Sequence, residues 1–107
     1  MWILQSVPEA GLADAVTWRL PPGGTKTVGR AVRADFVLDA ALVSRVHCRL
    51  VTDREDHLEV EDLNSTNGTY VNQRRVQRAT LAPGDVLRVG RVEFVVTREA
   101  TARNGAN

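Results

Sequence analysis

Hydrophobic and polar residues alternate along much of this chain. Val46, Cys48 and Leu50 are interleaved with His47, Arg49 and Val51. Leu58, Val60 and Leu63 are interleaved with Glu59, Glu61 and Asp62, and Val92, Phe94 and Val96 with Glu93, Val95 and Thr97. A period of two sends successive side chains to opposite faces of a strand, one toward a core and one toward water. The many valines suit a pleated surface. The pattern predicts strands near 2–7, 15–20, 25–29, 36–38, 46–52, 57–61, 69–72, 75–77, 86–89 and 92–97. Trp2 and Trp18 fall in these strands and are expected in the core. Pro21-Pro22-Gly23-Gly24, Asn67-Gly68 and Pro83-Gly84-Asp85 carry turn chemistry between the runs. No stretch has a helical period; Ala10–Ala15 is long enough for one turn but contains Gly11. Short strands with turns about every ten residues indicate an all-β sandwich or barrel.

Composition narrows the class. A length of 107 residues gives room for one domain, and 43% apolar content can supply its core. Residues 1–99 read as that domain. Residues 100–107 are small and polar and read as a flexible tail or the start of a linker. The single Cys48 excludes an internal disulfide. A net charge of +1 argues against a nucleic-acid binder. No apolar run approaches the ~20 residues of a membrane span, and Met1–Val7 lacks the basic flank and long apolar region of a signal peptide. Two His and one Cys, scattered, make no metal site, and no cofactor is expected.

Net charge conceals a segregated pattern. Residues 53–62 hold six acids (Asp53, Glu55, Asp56, Glu59, Glu61, Asp62) against Arg54. Arg74, Arg75 and Arg78 stand without an acid in 63–78, as do Lys26, Arg30 and Arg33 in 25–33. Thirteen of the fourteen basic residues are Arg, a bias that a GC-rich genome also produces. If a sandwich gathers the turns near 30–35, 43–46 and 64–68 at one end, that end is positive and suited to an anion.

Three segments carry candidate chemistry. Thr27-Val28-Gly29-Arg30 ends a strand at a glycine, which permits an unusual backbone angle or a close approach, and then presents an arginine. Ser44-Arg45-Val46-His47 precedes a strand. Leu63-Asn64-Ser65-Thr66-Asn67-Gly68-Thr69-Tyr70-Val71-Asn72 is a polar loop entering one. Together they are rich in donors and poor in carboxylates. A phosphate monoester, with about −1.5 to −2 charge and three acceptor oxygens, suits such a set. Arg grips it through parallel N–H donors and hydroxyls supply further bonds. Asn, with both donors and an acceptor, can pair with the main chain of an extended peptide.

Gly29-Arg30, Ser44-x-x-His47 and Ser65-Thr66-Asn67-Gly68-Thr69-Tyr70-Val71-Asn72, in that order and spacing, resemble a forkhead-associated (FHA) domain. Leu81-Ala82-Pro83-Gly84-Asp85-Val86-Leu87-Arg88-Val89-Gly90 resembles the last hairpin region of that family, and the likeness runs from about Trp2 to Thr97. The resemblance implies a two-sheet β-sandwich of about eleven strands that binds phosphothreonine peptides through loops at one end. It implies that Arg30 pairs with the phosphate, that Ser44 donates its hydroxyl to it, and that Thr66 adds a contact by hydroxyl or main-chain N–H. Asn67 would hold the peptide backbone, and Arg45 stands where members can also touch phosphate. His47 would support the loops from within, Gly29 and Gly68 would shape turns, and Asn72 would fasten a loop. The same resemblance assigns the residue about three places after the phosphothreonine to the Ala40–Val43 loop and to the loop near Arg74–Arg78. Leu42 favours an apolar residue there, and Arg74 or Arg75 an acidic one.

The blander readings differ in weight. Ser44 and His47 as a hydrolase pair would sit three apart on a strand and point to opposite faces. His57 lies in an acidic stretch and reads as surface. Asn64-Ser65-Thr66 matches a glycosylation sequon by accident, given no secretory signal. The leading expectation is therefore a non-enzymatic docking module that reads phosphothreonine proteins, its partners being a Ser/Thr kinase or that kinase's substrates. The alternative is a phosphate-independent interaction or oligomerisation domain using outward valines such as Val51 and Val95. The wording of the motifs is similar to bacterial members, implying a cytoplasmic setting. The Met1-Trp2 start is similar to nibrin-like DNA-repair proteins, which would imply a nuclear one.

Overall fold

A computed structural model describes residues 1–7, 15–54 and 56–99. The Ala10–Ala15 turn falls largely outside the described residues, as do Glu55 and the 100–107 tail. Eleven strands follow in order: β1 Trp2–Ser6, β2 Thr17–Leu20, β3 Gly24–Gly29, β4 Phe36–Val37, β5 Cys48–Arg54, β6 His57–Asp62, β7 Thr69–Val71, β8 Arg74–Val76, β9 Arg78–Leu81, β10 Val86–Val89 and β11 Val92–Arg98. They form a six-stranded sheet, β2-β1-β11-β10-β7-β8, and a five-stranded sheet, β4-β3-β5-β6-β9. The fold is the β-sandwich that alternation and resemblance led us to expect. Among the described residues only β3 and β4 pair in parallel.

The inward positions make one core. Val92, Phe94 and Val96 are fully buried on β11, as are Leu58 and Val60 on β6 and Leu50 on β5. Each such side chain contributes on the order of 1.5–3 kcal/mol by leaving water. Trp18 on β2 lies between Phe36 on β4, at 4.7 Å, and Phe94 on β11, at 4.4 Å. One ring stack thereby joins the two sheets across an edge, and Trp2 and Trp18 are both buried, as expected.

Alternation misleads at two places. The inward partner of Leu58 and Val60 is Asp62, which is buried, and not Leu63. Val46 is 51% exposed because β5 begins only at Cys48; the residue turned inward before it is His47. Val51 and Val95 do face outward, but neighbouring strands leave them only half-exposed. The β9 strand was not separable by pattern, since Ala79 is a weak apolar signal between Arg78 and Thr80.

Antiparallel register gathers the loops into two groups. Val28 on β3 is opposite Cys48, and Cys48 is opposite Asp62, while Thr69 on β7 is opposite Val89. The connections after β3, before β5 and between β6 and β7 therefore share one end of the sandwich. The turns at Pro21–Gly23, Asn72–Gln73 and Ala82–Asp85 lie toward the other. The main chains of Met1 and Glu99 hydrogen-bond at that second end, Glu99 N to Met1 O at 2.8 Å. Among the described residues no helix is long and apolar enough to cross a membrane.

Candidate functional site

The loop end is assembled on buried polar groups. Gly29 closes β3 where the carbonyl of Arg45 passes so near that a Cβ would collide with it. Its φ is not in the left-handed region, so close approach, not backbone angle, is what demands glycine there. This approach lets Arg30 N donate to Ser44 O at 2.9 Å and Ala31 N to Arg45 O at 3.1 Å. Asp35 closes the following loop back onto β3, accepting from Thr27 N at 2.8 Å and from the Thr27 hydroxyl at 3.2 Å. Those two bonds hold its carboxyl below the usual carboxylate range.

His47 is the joint between two loops. It is fully buried. Its Nδ1 accepts from Ser44 N at 3.0 Å, so its Nε2 carries the proton and donates to Gly68 O, 2.9 Å away. Both ring nitrogens are thus committed to main chain. Residues 44–47 form a loop and not the strand that sequence implied, so Ser44 and His47 do meet. The contact runs through the Ser44 amide, which leaves the ring no lone pair for activating a hydroxyl.

Asp62 organises the second loop, and sequence reading passed over it because it stands in a run of surface acids. Its Oδ1 accepts from the Ser65 hydroxyl at 2.5 Å and the Thr69 hydroxyl at 2.7 Å, and its Oδ2 from Ser65 N at 3.1 Å. Burial alone would push its carboxyl up; the Ser65 and Thr69 hydroxyls and the Ser65 N–H outweigh burial and hold it below the ordinary range. The Asp-x-x-Ser-x-x-x-Thr spacing was the available signal. Ser65 Oγ in turn accepts from Gly68 N at 2.9 Å, and Gly68 has φ +90°, a conformation that favours glycine. Beside Asp62, burial first and the Asp62 charge second push the Cys48 thiol up to about 12, so this cysteine is inert.

On this frame the structure brings together Arg30, Ser44, Thr66 and Asn67. They line one open groove of about 460 Å³ with Asp39, Ala40, Ala41, Leu42 and Val43. Their remaining donors point to a division of labour. Arg30 spends its Nε on Val43 O, 2.8 Å away, which fixes the guanidinium while its terminal nitrogens stay available. Ser44 Oγ accepts from Thr66 N at 3.0 Å, so its own O–H is left to donate. That bond commits the Thr66 amide, leaving Thr66 its hydroxyl. Asn67 Nδ2 donates to Leu42 O at 3.1 Å, bridging the two loops and leaving Oδ1 as an acceptor. No carboxylate among the described residues forms an ion pair with Arg30. The arrangement can receive a tetrahedral anion and the main chain attached to it. Asp39 at the rim is an acid the sequence reading did not anticipate.

Two expected site residues lie elsewhere. Arg45 is exposed but does not line the groove; its main chain runs along Arg30–Ala31. Asn72 is at the far end of β7 and supports no groove loop. Its Oδ1 accepts from Val86 N at 2.9 Å and its Nδ2 donates to Asp85 at 3.1 Å, joining two turns there. Arg78 is occupied on the outer sheet face, 3.1 Å from Glu59. Arg75 lies over Gly68, so it borders the loop that carries Asn67. No group of three or more His, Cys, Asp or Glu among the described residues could hold a metal ion.

Comparison with known proteins follows the same residues. The family model described as FHA domain matches residues 26–90. The ABC transporter ATP-binding/permease protein Rv1747 of Mycobacterium tuberculosis is 39% identical over 86% of this chain, and FhaA of the same organism is 45% identical over 68% of it. The matched regions span only 10% and 14% of those two proteins. Among solved structures, the FhaA FHA domain complexed with the intracellular domain of Rv3910 superposes with a TM-score of 0.77 and 38% identity, over 90% of this chain and 99% of that one. A structure from an analysis of phosphothreonine-dependent FHA domain interactions gives a TM-score of 0.76 and 35% identity, over 92% and 97%.

Proposed function

The chain belongs to the FHA domain family, and on that premise we propose that it binds phosphothreonine-containing proteins through the Arg30–Ser44–Thr66–Asn67 groove, as an adaptor downstream of a Ser/Thr kinase. The observation that carries this reading is that the Arg30, Ser44 and Asn67 side chains are each oriented by one bond to the loops and keep another group free at the same groove, where Thr66, held by its amide, keeps its hydroxyl. In this reading Arg30 pairs with two phosphate oxygens, the Ser44 and Thr66 hydroxyls donate to the same group, and Asn67 holds the ligand main chain. The charge-assisted Arg–phosphate pair is the strongest single contact of the set. The dependence on phosphothreonine of a 35% identical FHA domain's interactions supports the same ligand. The intracellular domain bound by FhaA supports a protein, not a free metabolite, as the bearer. The FHA domain is a binding module, and nothing in the groove calls for bond-breaking chemistry.

Titration of a phosphothreonine peptide library against wild type and Arg30→Ala tests the assignment. Loss of binding in the folded variant is expected. Equal affinity of the two proteins, or equal binding of threonine and phosphothreonine peptides, would refute it.

A further inference from the structure

Four large apolar side chains are exposed among the described residues: Val32, Val37, Leu42 and Val46. All belong to the loop end. Leu42 lines the groove; the other three do not. Val37 is the register partner of Gly29 in the parallel β3–β4 pair. The position a Gly29 Cβ would take is 3.0 Å from Val46 Cα, so Val46 lies against that same pair. The Ala31–Arg45 hydrogen bond ties the turn that carries Val32 to the segment that carries Val46, and Val32 is 89% exposed. Arg33 and Arg45 stand exposed among these valines, and no carboxylate of the described residues forms an ion pair with either.

Single exposed valines are ordinary, but a group confined to the margin of a binding groove marks a contact surface. Its charge points away from a second copy of the chain as occupant. A two-fold interface on this patch would bring two copies of the Arg33–Arg45 pair, four uncompensated positive charges, into one contact. The fitting occupant is apolar with an acidic neighbour.

We propose that Val32, Val37 and Val46, with Arg33 and Arg45, form a second recognition zone for the phosphothreonine ligand. It takes an apolar residue flanked by an acidic one, on the side of the phosphothreonine that faces Val46 and not Leu42. The inference rests on the function proposed above and adds a selectivity to it. Val46 is two residues beyond Ser44, at most roughly 7 Å along the chain. A ligand anchored at Ser44 therefore reaches the zone some two to four residues from its phosphothreonine.

The test is a positional-scanning library of phosphothreonine peptides, with matched threonine peptides as control. It is probed with wild type, with the double variant V32S and V46S, and with Arg45→Glu, each shown folded by its thermal transition. If the double variant does not fold, V32T and V46T replace it. Wild type should enrich Val, Ile or Leu over Ala about five- to tenfold at one flanking position, with Asp or Glu beside it. The double variant should lower the apolar enrichment below about twofold, and Arg45→Glu should reverse the acidic preference. Phosphothreonine binding with no apolar selection, or selection that survives the double variant, overturns the zone alone. Absence of any preference for phosphothreonine over threonine overturns the proposed function, and this inference with it.

Discussion

The two ends of the sandwich use the same polar residue types in opposite ways. At the groove end, buried His47, Asp62 and Ser65 spend their bonds on main chain and on one another, and the exposed residues above them keep donors unspent. At the other end, polar side chains close their own turns. Asp85 accepts from Ala82 N at 2.8 Å and from Asn72 Nδ2 at 3.1 Å, and Thr52 donates to Pro21 O at 2.9 Å. The exposed large hydrophobics follow the same division, since all of those described sit at the groove end. The end proposed to bind thus has its support placed underneath and unspent groups on top, whereas the turns at the other end satisfy themselves.

The contrast can be broken from the groove side first. His47→Ala removes two buried hydrogen bonds and leaves a cavity, and should cost about 3–4 kcal/mol of stability. Chemical denaturation would show it, together with weaker phosphopeptide binding as the Ser44 and Gly68 loops uncouple. Arg30→Ala should leave the melting temperature nearly unchanged. It should lower affinity for a phosphothreonine peptide by about 2–3 kcal/mol, roughly 30- to 150-fold, measured by calorimetry. This variant separates support from contact, since it removes only an unspent group and one loop bond.

Asp62→Asn should cost about 1–3 kcal/mol at neutral pH, and its pH dependence sharpens the comparison. The folded-state carboxyl of Asp62 titrates below its unfolded value. Its contribution is therefore fully present above the unfolded pKa, near 4, and is lost as pH falls through the lower folded value. Thermal melts from about pH 5 down to 2 should show wild-type stability falling toward that of Asp62→Asn, the gap between them narrowing with acid. A constant gap would mean that the charge of Asp62 does not matter. At the opposite end, Asp85→Ala should cost only about 1 kcal/mol and leave phosphopeptide affinity within about twofold. A larger loss of binding would show that the two ends are coupled.

The strands were legible because apolar residues alternate on β5, β6 and β11, and the sandwich followed from their number. The loop chemistry was legible as a set of donors at fixed spacing. What stayed hidden depends on facing directions that no period reveals. Asp62 looks like one of several surface acids until the inward turn of β6 is known. Arg45 reads as a neighbour of Ser44, yet the bend at Arg45–Val46 leaves it outside the groove that Ser44 lines. Asn72 belongs to the same sequence run as Asn67, but the three residues of β7 carry it to the other end. His47 and Gly29 were legible in type, though the reason for Gly29 proved to be the passing carbonyl of Arg45 and not a backbone angle.

The pairing of Met1 with Glu99 bears on how such a module can be wired into a larger machine. Because β1 and β11 run side by side and both close at the end remote from Arg30, polypeptide joined at either side would depart from one small area behind the groove. A tether there can pull, swing or recoil without sweeping across the ligand. Cargo attached at both sides would be held close together while the recognition surface faces outward, like a plug whose leads leave from the back.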